Sequence, residues 1–366
     1  MPRVTSKDVA RAAGVSQTTV SFVLNGRDEH GISDETRQHV VDMARRLGYV
    51  PSAAARALRA GRSEVVVCLV PDLPVSEAFE VMKRQLSAAM GRDGYTCVFL
   101  EMANVAGGDL STVWKHIDPA AVISFAALSD IDAEALRSAD VPVLDDVLQP
   151  DGAQLEGLDQ REIGYLQVQH LASRGHRVIG FAAIADPRET PFCRPRIAGA
   201  RQACRELGLT EPAVAVVDYS PAIARDAVLA WRASDAPITA VAAFNDLVAI
   251  AILGVCRTEG ITVPDDLAVI GVDDLPAANL VVPALSTVSM DLSIPARNLA
   301  VQVLALIRGE PTAGLVHNSE VLRLVERQSV QPALLTAIES LAPECGKAIP
   351  AGDDSTMKPG KKIGPV

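Results

Sequence analysis

Aromatic side chains make up only 4% of the 366 residues, with two Trp, four Tyr and seven Phe. Cores must therefore be built mainly from Ala, Val, Leu and Ile, which a 49% hydrophobic content supplies amply. No run of about 18 apolar residues is free of charge, which argues against a membrane-spanning helix. The opening MPRVTSKDVARAAG has no apolar core of signal-peptide length, so a cytoplasmic protein with no membrane partner is expected. The six cysteines, at 68, 97, 193, 204, 256 and 345, form no Cys-x-x-Cys pair and have no His cluster beside them. They read as buried or incidental thiols in a reducing compartment, with no metal site. Neither a Gly-x4-Gly-Lys loop nor a Gly-x-Ser-x-Gly elbow occurs, and His116, His170, His176 and His317 are scattered. His176, within Arg-Gly-His-Arg, is expected to pack before a strand. Neither an enzyme, catalytic residues, nor a cofactor is expected.

What is present is unevenly distributed. The net charge is −11, yet residues 1–62 carry ten Lys/Arg against six Asp/Glu, while the rest carries 24 against 39. A basic head on an acidic body concentrates attraction for phosphates at one end. The length points to two or three domains.

Within the head, Ser6 is placed to cap a short helix whose Val9, Ala10 and Ala13 share a face. Gly14 stops that helix where two helices would cross, and Ser16 caps a second one over Gln17–Leu24, burying Val20, Val23 and Leu24. The spacing Ala10-x3-Gly14-x5-Val20 is that of a helix-turn-helix. A third helix follows Ser33, with Asp34 and Glu35 at its positive end and an apolar stripe of Val40, Met43, Ala44 and Leu47. In such a motif the second helix enters the major groove N-terminus first. It would present Ser16, Gln17, Thr18, Ser21 and Phe22 to base edges, Gln17 being able to pair twice with adenine. Thr5, Thr19, Ser21 and Asn25 suit phosphates. Gly48-Tyr49-Val50-Pro51 then stops the third helix, Tyr49 joining the DNA-facing set. The next segment, Ser52 to Gly61, is long enough for a helix but too short to persist alone, and its residues alone read equally as a linker or as a helix that orders on a partner. Arg56 and Arg59 suit phosphates there, and Leu58 suits an apolar wedge in the minor groove.

From Glu64 short apolar runs (VVVCLV, TCVFL, AAVISF, VPVL) alternate with helical patterns. A second series begins near Asp159 with RVIGFAAI, AVAVVDY, ITAVAAF and LAVIGV. Continuous apolar strands alternating with helices predict parallel sheets covered on both faces, in two α/β lobes with ligands outside the strand C-termini. Residues from about 340 on are rich in Pro, Gly and Lys and read as a disordered tail.

The stretch VTSKDVARAAGVSQTTVSFVLNG…ISDETRQHVVDMARRLGYVPSAAARALRAGRS closely resembles the DNA-binding head and hinge of the LacI (lactose repressor) family. HLASRGHRVIGF, RPRIAGARQACRELGL, AVAAFNDLVAIAIL, GITVPDDLAVIGVDDLPAA and PALSTVSMDLSIPARNLAVQVL resemble that family's effector domain, which is similar to periplasmic sugar-binding proteins. The resemblance implies an all-α helix-turn-helix head on an α/β body of two doubly wound parallel-sheet lobes. The expected divisions are a head at 1–50, a hinge helix at 51–62, an effector and dimerisation domain at 63–338, and a tail at 339–366. The first lobe would hold about 63–160 and 292–323, the second about 161–291 and 324–338. The implied protein is a homodimeric, sequence-specific regulator, a repressor, reading a pseudo-palindromic double-stranded operator under the control of a small-molecule effector, a sugar or related metabolite. Leu58 would be the minor-groove wedge. Effector contacts would fall at Arg196, Asn245 and Asp273, and in the first lobe at Asp72, Ser76 and Phe79. Asp246 is expected to cap the helix beside it, and the adjacent carboxylates of Asp273 and Asp274 point apart, against a metal. The alternative is a small-molecule binding protein whose head no longer reads DNA.

Overall fold

A computed structural model of the chain describes residues 4–24, 31–49, 63–74, 76–102, 110–114, 116–148, 158–217, 219–315 and 321–331. Asn25, the hinge with Arg56, Leu58 and Arg59, the tail and Cys345 lie outside them.

The head is three helices, α1 (Ser6–Ala13), α2 (Gln17–Leu24) and α3 (Asp34–Arg46). Its first cap is Thr5, not Ser6. Thr5 is extended, and its N–H and Oγ1 donate to Asp8 Oδ2 at 2.9 and 2.7 Å, so the acidic residue one turn on fixes where the helix starts. Gly14 closes α1 with φ 65°, a left-handed conformation that needs no Cβ penalty in glycine. Ser16 Oγ accepts from Thr19 N at 3.0 Å and Ser33 Oγ from Thr36 N at 3.3 Å, capping α2 and α3. Val9, Val20 and Val40, all fully buried, form the core with Ala10, Ala13, Val23 and Ala44. Leu24 and Met43 are only half-buried against it, and Leu47 is 37% exposed, so the expected α3 stripe ends at Ala44. The reason is local. The chain reverses at Gly48 (φ 64°), Tyr49 N donates back to Ala44 O at 2.9 Å, and the Tyr49 side chain packs on the core in place of Leu47.

In the body, β1 (Val65–Val70), β2 (Thr96–Glu101), β3 (Ala121–Ser124) and β4 (Val143–Leu144) form a parallel sheet in the order β2-β1-β3-β4. Helix α4 (Glu77–Arg92), the single turn α5 (Ser111–Trp114) and α6 (Asp130–Ser138) connect them. β1 shows why its run is unbroken. Val66, Cys68 and Val70 enter one core with Met82, Leu86 and Met90 of α4, while Val67 and Leu69 enter another with Leu110, Val122 and Leu136. Alternate residues thus meet different cores, and both faces are covered.

A second sheet has six strands in the order β10-β9-β8-β7-β5-β6. They are β5 (Ile179–Ala183), β6 (Ala213–Val216), β7 (Ala240–Ala243), β8 (Ala268–Val272), β9 (Ser286–Met290) and β10 (Leu322–Val325). The four pairs from β6 through β9 are parallel. Helices α7 (Gln160–Ser173), α8 (Thr190–Glu206), α9 (Pro221–Arg232), α10 (Asp246–Glu259) and α11 (Ser293–Arg308) complete the body, α11 packing in the core of α4. Strands β9 and β10 are short and partly polar (STVSM, LRLV), and had no clear apolar run to announce them.

Among the described residues the chain divides into two compact units. One comprises the described residues up to Gln160 with Asp186–Pro195 and those from Met290 to Arg323, the other Arg161–Ala185, those from Arg196 to Ser289, and Leu324 to Gln331. No helix among the described residues is long and apolar enough to cross a membrane.

Candidate functional site: the second helix of the head and the strand ends of the body

α2 presents its N-terminal side chains to solvent. Ser16, Gln17 and Thr18 are exposed, as is Thr5 beside α1, while Thr19, Ser21, Phe22 and Tyr49 are half-buried. Several are already engaged within the head. Ser16 Oγ meets Thr19 Oγ1 at 2.8 Å, and Gln17 Nε2 donates to Ser6 Oγ at 2.8 Å. A base-pairing role for Gln17 therefore requires it to exchange Ser6 for a base edge. Phe22, on α2, leaves one expected reading position without a polar head group, so recognition there would be by apolar contact.

In each sheet a candidate residue follows a strand that borders the point where the strand order reverses, Asp72 after β1 and Asn245 after β7, while Asp273 follows the next strand, β8. The first sheet reverses between β1 and β3, and the second between β5 and β7. There the crossovers leave in opposite directions and open a gap at the strand C-termini, the usual ligand position in such sheets.

In the first unit, Asp72 follows β1 and is exposed, but Arg188 Nη1 donates to its Oδ1 at 3.0 Å. Arg188 also grips Asp186, with Nε 3.0 Å from Oδ1 and Nη2 2.6 Å from Oδ2. The two carboxylates raise the guanidinium pKa above its ordinary value, hydrogen bonding to Asp186 contributing most. Asp186 is correspondingly held low by Arg188. Ser76 is the N-cap of α4, accepting from Phe79 N at 3.4 Å. Phe79 stands edge-on to Phe125, with ring centroids 5.3 Å apart, beneath the end of β3. Asp72, Ser76 and Phe79 thus occur in one stretch after β1, and the structure adds Arg188 and Phe125.

In the second unit Arg196 is 5% exposed. Its Nη1 donates to Phe244 O at 2.5 Å, and its guanidinium lies 4.8 Å from the centroid of the Phe244 ring. A surface ion-pair role does not fit this burial. Arg196 is fixed by stacking and by a backbone carbonyl at the end of β7. Asn245, the next residue, caps α10 through Oδ1, accepting from Val248 N at 2.9 Å, and its Nδ2 donates to the Tyr219 hydroxyl at 3.2 Å. This corrects the expectation for Asp246, because the cap is Asn245. Asp246 is fully buried and acts elsewhere, accepting from Thr287 Oγ1 at 2.6 Å and Leu275 N at 2.8 Å. Burial pushes its carboxyl up to about 6, against the lowering effect of those hydrogen bonds. Asp273 follows β8 with φ 108°, and its N–H donates to Val288 O at 2.9 Å. Asp274, also at positive φ (53°), accepts from Arg327 Nη2 at 2.6 Å. Among the described residues no group of three or more His, Cys, Asp and Glu is placed to hold a metal ion.

Three participants were not singled out from the sequence. Tyr219 stood at the end of the AVAVVDY run, a strand end that could have drawn notice. Arg188 had no signal, since its partner Asp72 is 116 residues away. Gln167, buried on α7, donates to the carbonyls of Ala243, Ile270 and Gly271, at 2.9, 3.4 and 3.2 Å, and so ties the ends of β7 and β8 together.

A helix-turn-helix head followed by an α/β body with polar side chains gathered at its strand ends defines a DNA-binding regulator with a sensor domain. The comparisons agree. The profile described as "Bacterial regulatory proteins, lacI family" matches residues 5–52, and that of "Periplasmic binding protein-like domain" matches residues 168–330. The HTH-type transcriptional regulator DegA of Bacillus subtilis is 31% identical over 311 residues, 79% of this chain and 87% of that protein. The HTH-type transcriptional repressor PurR of Vibrio campbellii is 29% identical, over 78% of this chain and 86% of its own. In fold, the chain superposes on the Lac repressor dimer bound to operator with a TM-score of 0.68 at 23% identity, covering 90% of this chain and all of that one. The transcriptional regulator CelR, solved with cellobiose, gives 0.58 at 26% identity, again over 90% of this chain and all of its own. The chain belongs to the LacI family of bacterial transcriptional regulators.

Proposed function

We propose that this regulator is a cytoplasmic, homodimeric repressor that acts by binding rather than turnover. It reads a pseudo-palindromic operator with Ser16, Gln17, Thr18, Ser21 and Phe22, steadied on phosphates by Thr5, Thr19, Asn25 and the region of Tyr49. The hinge supplies Arg56, Arg59 and the wedge Leu58. A small polar metabolite, a sugar or a related molecule, controls it, the candidate contacts being Arg196, Asn245 and Asp273 in the second unit and Asp72, Ser76 and Phe79 in the first. The observation that carries the effector reading is Arg196. A guanidinium removed from water, stacked on Phe244 and braced by a carbonyl, is a rigid donor set beside the end of β7, suited to a ligand's oxygen atoms.

Effector and operator must then change each other's affinity by the same factor. The test has two arms. Footprinting of the full chain on the DNA upstream of its own gene should show a protected palindrome whose affinity falls steeply with salt. Thermal-shift screening against sugars, nucleobases and phosphorylated metabolites should yield a stabilising compound that also alters the footprint. A protein that binds such a compound but protects no DNA at low salt would be a sensor with a silent head.

A further inference from the structure

The turn after β8 carries Asp273 and Asp274 at positive φ, an unfavourable backbone for residues with a Cβ. Something must hold it. Its three successive amides are each engaged. Asp273 N–H donates to Val288 O (2.9 Å), Asp274 N–H to Thr287 Oγ1 (3.4 Å) and Leu275 N–H to Asp246 Oδ2 (2.8 Å). The Thr287 hydroxyl in turn donates to Asp246 Oδ1 at 2.6 Å. Two of the three amides therefore end on one carboxylate, Leu275 N–H directly and Asp274 N–H through Thr287. That carboxylate is fully buried, and β8 makes room for it. A Cβ on Gly271 would lie 2.1 Å from Asp246 Oδ1.

We infer that Asp246 is a positioning residue for the effector site, holding the 273–275 turn so that Asp273 stands at the end of β8. The inference rests on the reading that Asp273 faces the effector, but concerns the turn alone and is testable without ligand. The charged groups facing Asp246 are Asp274, which repels its negative charge, and Arg327, which offsets it. Arg327 is itself fixed on Asp274 (2.6 Å) and Leu285 O (2.8 Å). Protonated Asp246 is a weaker acceptor for both donors. Its carboxyl titrates near 6, inside the range where the fold is readily studied.

The experiment is amide hydrogen exchange of the ligand-free full chain, read as protection factors for the peptide spanning 273–279 from pH 7.5 to 5. Wild type should lose protection at the Leu275 amide as pH falls through about 6. Asp246→Asn, neutral at every pH but still accepting from Leu275 N–H through its amide oxygen, should hold at every pH the lower protection of acidified wild type, above that of Asp246→Ala. Asp246→Ala should lose tenfold or more throughout. Thr287→Val, which leaves the buried carboxylate in place, should expose the Asp274 amide and move the wild-type midpoint upward by removing a hydrogen bond to the charged form. A pH-independent wild type, or an Asp246→Ala chain of unchanged far-UV circular dichroism and unchanged protection, overturns the inference. So does an Asp246→Asn variant as unprotected as Asp246→Ala. Should Asp246→Ala fail to fold, Thr287→Val decides, and an unmoved midpoint overturns it. Loss of ligand binding in Asp273→Ala tests the effector reading separately.

Discussion

Helices α7 and α8 cross on a pair of glycines, and that crossing yields a quantitative test of how Arg196 is held. A Cβ on Gly164 would lie 1.9 Å from the carbonyl oxygen of Arg196, and one on Gly199 would lie 1.8 Å from the carbonyl oxygen of Arg161. Each helix offers a glycine to the other's backbone. Real Cβ atoms keep at least 3.0 Å from such neighbours, so Gly164→Ala forces the helices apart by about 1.1 Å, the difference from 1.9 Å. The obstacle is main chain, which cannot rotate away as a side chain would. Overpacking of this kind costs about 1–3 kcal/mol and occasionally more, whereas the better helix propensity of Ala returns about 1 kcal/mol. With the upper part of that range applying to backbone, a net loss of about 2 kcal/mol is expected, or roughly 4–8 °C in Tm. Gly254 is the control. It lies exposed in α10 with nothing within 4 Å of a built Cβ, so Gly254→Ala should be neutral or stabilising. The assay is thermal unfolding of both variants, followed by titration with the stabilising compound from the screen. Because the Arg196 backbone is what must move, Gly164→Ala should also weaken that compound by tenfold or more. A Gly164→Ala chain that melts with Gly254→Ala, at or above wild type, would refute the reasoning.

Arg196→Ala should abolish the effector response while leaving operator affinity intact; a normal response in the same gel-shift titration would remove Arg196 from the site. Leu58→Ala should weaken operator binding and reduce DNA bending with effector affinity unchanged, and unaltered bending would rule out the wedge. Gln17→Ala should relax base preference at one position, by about 1–3 kcal/mol, while the salt dependence of binding, set by phosphate contacts, stays the same. Stability should respond to acid through His170 and His176, both buried and both lowered from the ordinary histidine value, chiefly by desolvation. A depressed histidine is neutral in the fold, so its contribution is complete above about pH 6.5 and is lost as the unfolded chain takes up protons below it. His176→Asn should therefore flatten the fall of Tm between pH 7 and 5. Asp246 contributes with the opposite sign, because a raised carboxyl favours the fold on acidification, and Asp246→Asn should steepen that fall.

How much of this was legible beforehand varied with the physics involved. The head was legible almost to the residue, because helix caps, a left-handed glycine and a three-residue apolar period are all local signals. Its errors, Ser6 for Thr5 and the expected burial of Leu24 and Leu47, fell at helix ends, where one residue's backbone decides the outcome. The long apolar strands were equally plain, since burial on both faces leaves an unbroken run such as VVVCLV. Strands β9 and β10 were not announced. STVSM is half polar because Ser286 and Thr287 bond Ser329, Arg327 and Asp246, and those partners lie about 40 residues away. The exchange of roles between Asn245 and Asp246 has the same origin. Both residue types cap helices well, so only the distant hydroxyl of Thr287 and the amide of Leu275 separate the cap from the anchor.

The candidate effector residues are therefore not equally available to a ligand, and their present partners rank them. Asn245 spends its oxygen on the α10 cap, an interaction worth about 1 kcal/mol in comparable helices. It also donates to Tyr219 from a nearly buried position, so a ligand has little reason to move it. Arg196 is buried and braced, and offers direction rather than adaptability. Asp72 differs. Its partner Arg188 keeps three side-chain bonds to the Asp186 carboxylate when Asp72 leaves, and the Asp72 contact lies in solvent, where ion pairs contribute little. Within the first unit a ligand that draws Asp72 off Arg188 should thus cost little, and within the second a ligand that displaces Asn245 or Arg196 should cost more. Specificity would then reside in Arg196, Asn245 and Asp273, and adjustment in Asp72. Substituting Asp72→Asn should consequently change affinity across a panel of related compounds by a similar factor, whereas Asp273→Asn should reorder the panel. A reordering by Asp72→Asn with a uniform effect of Asp273→Asn would reverse the assignment.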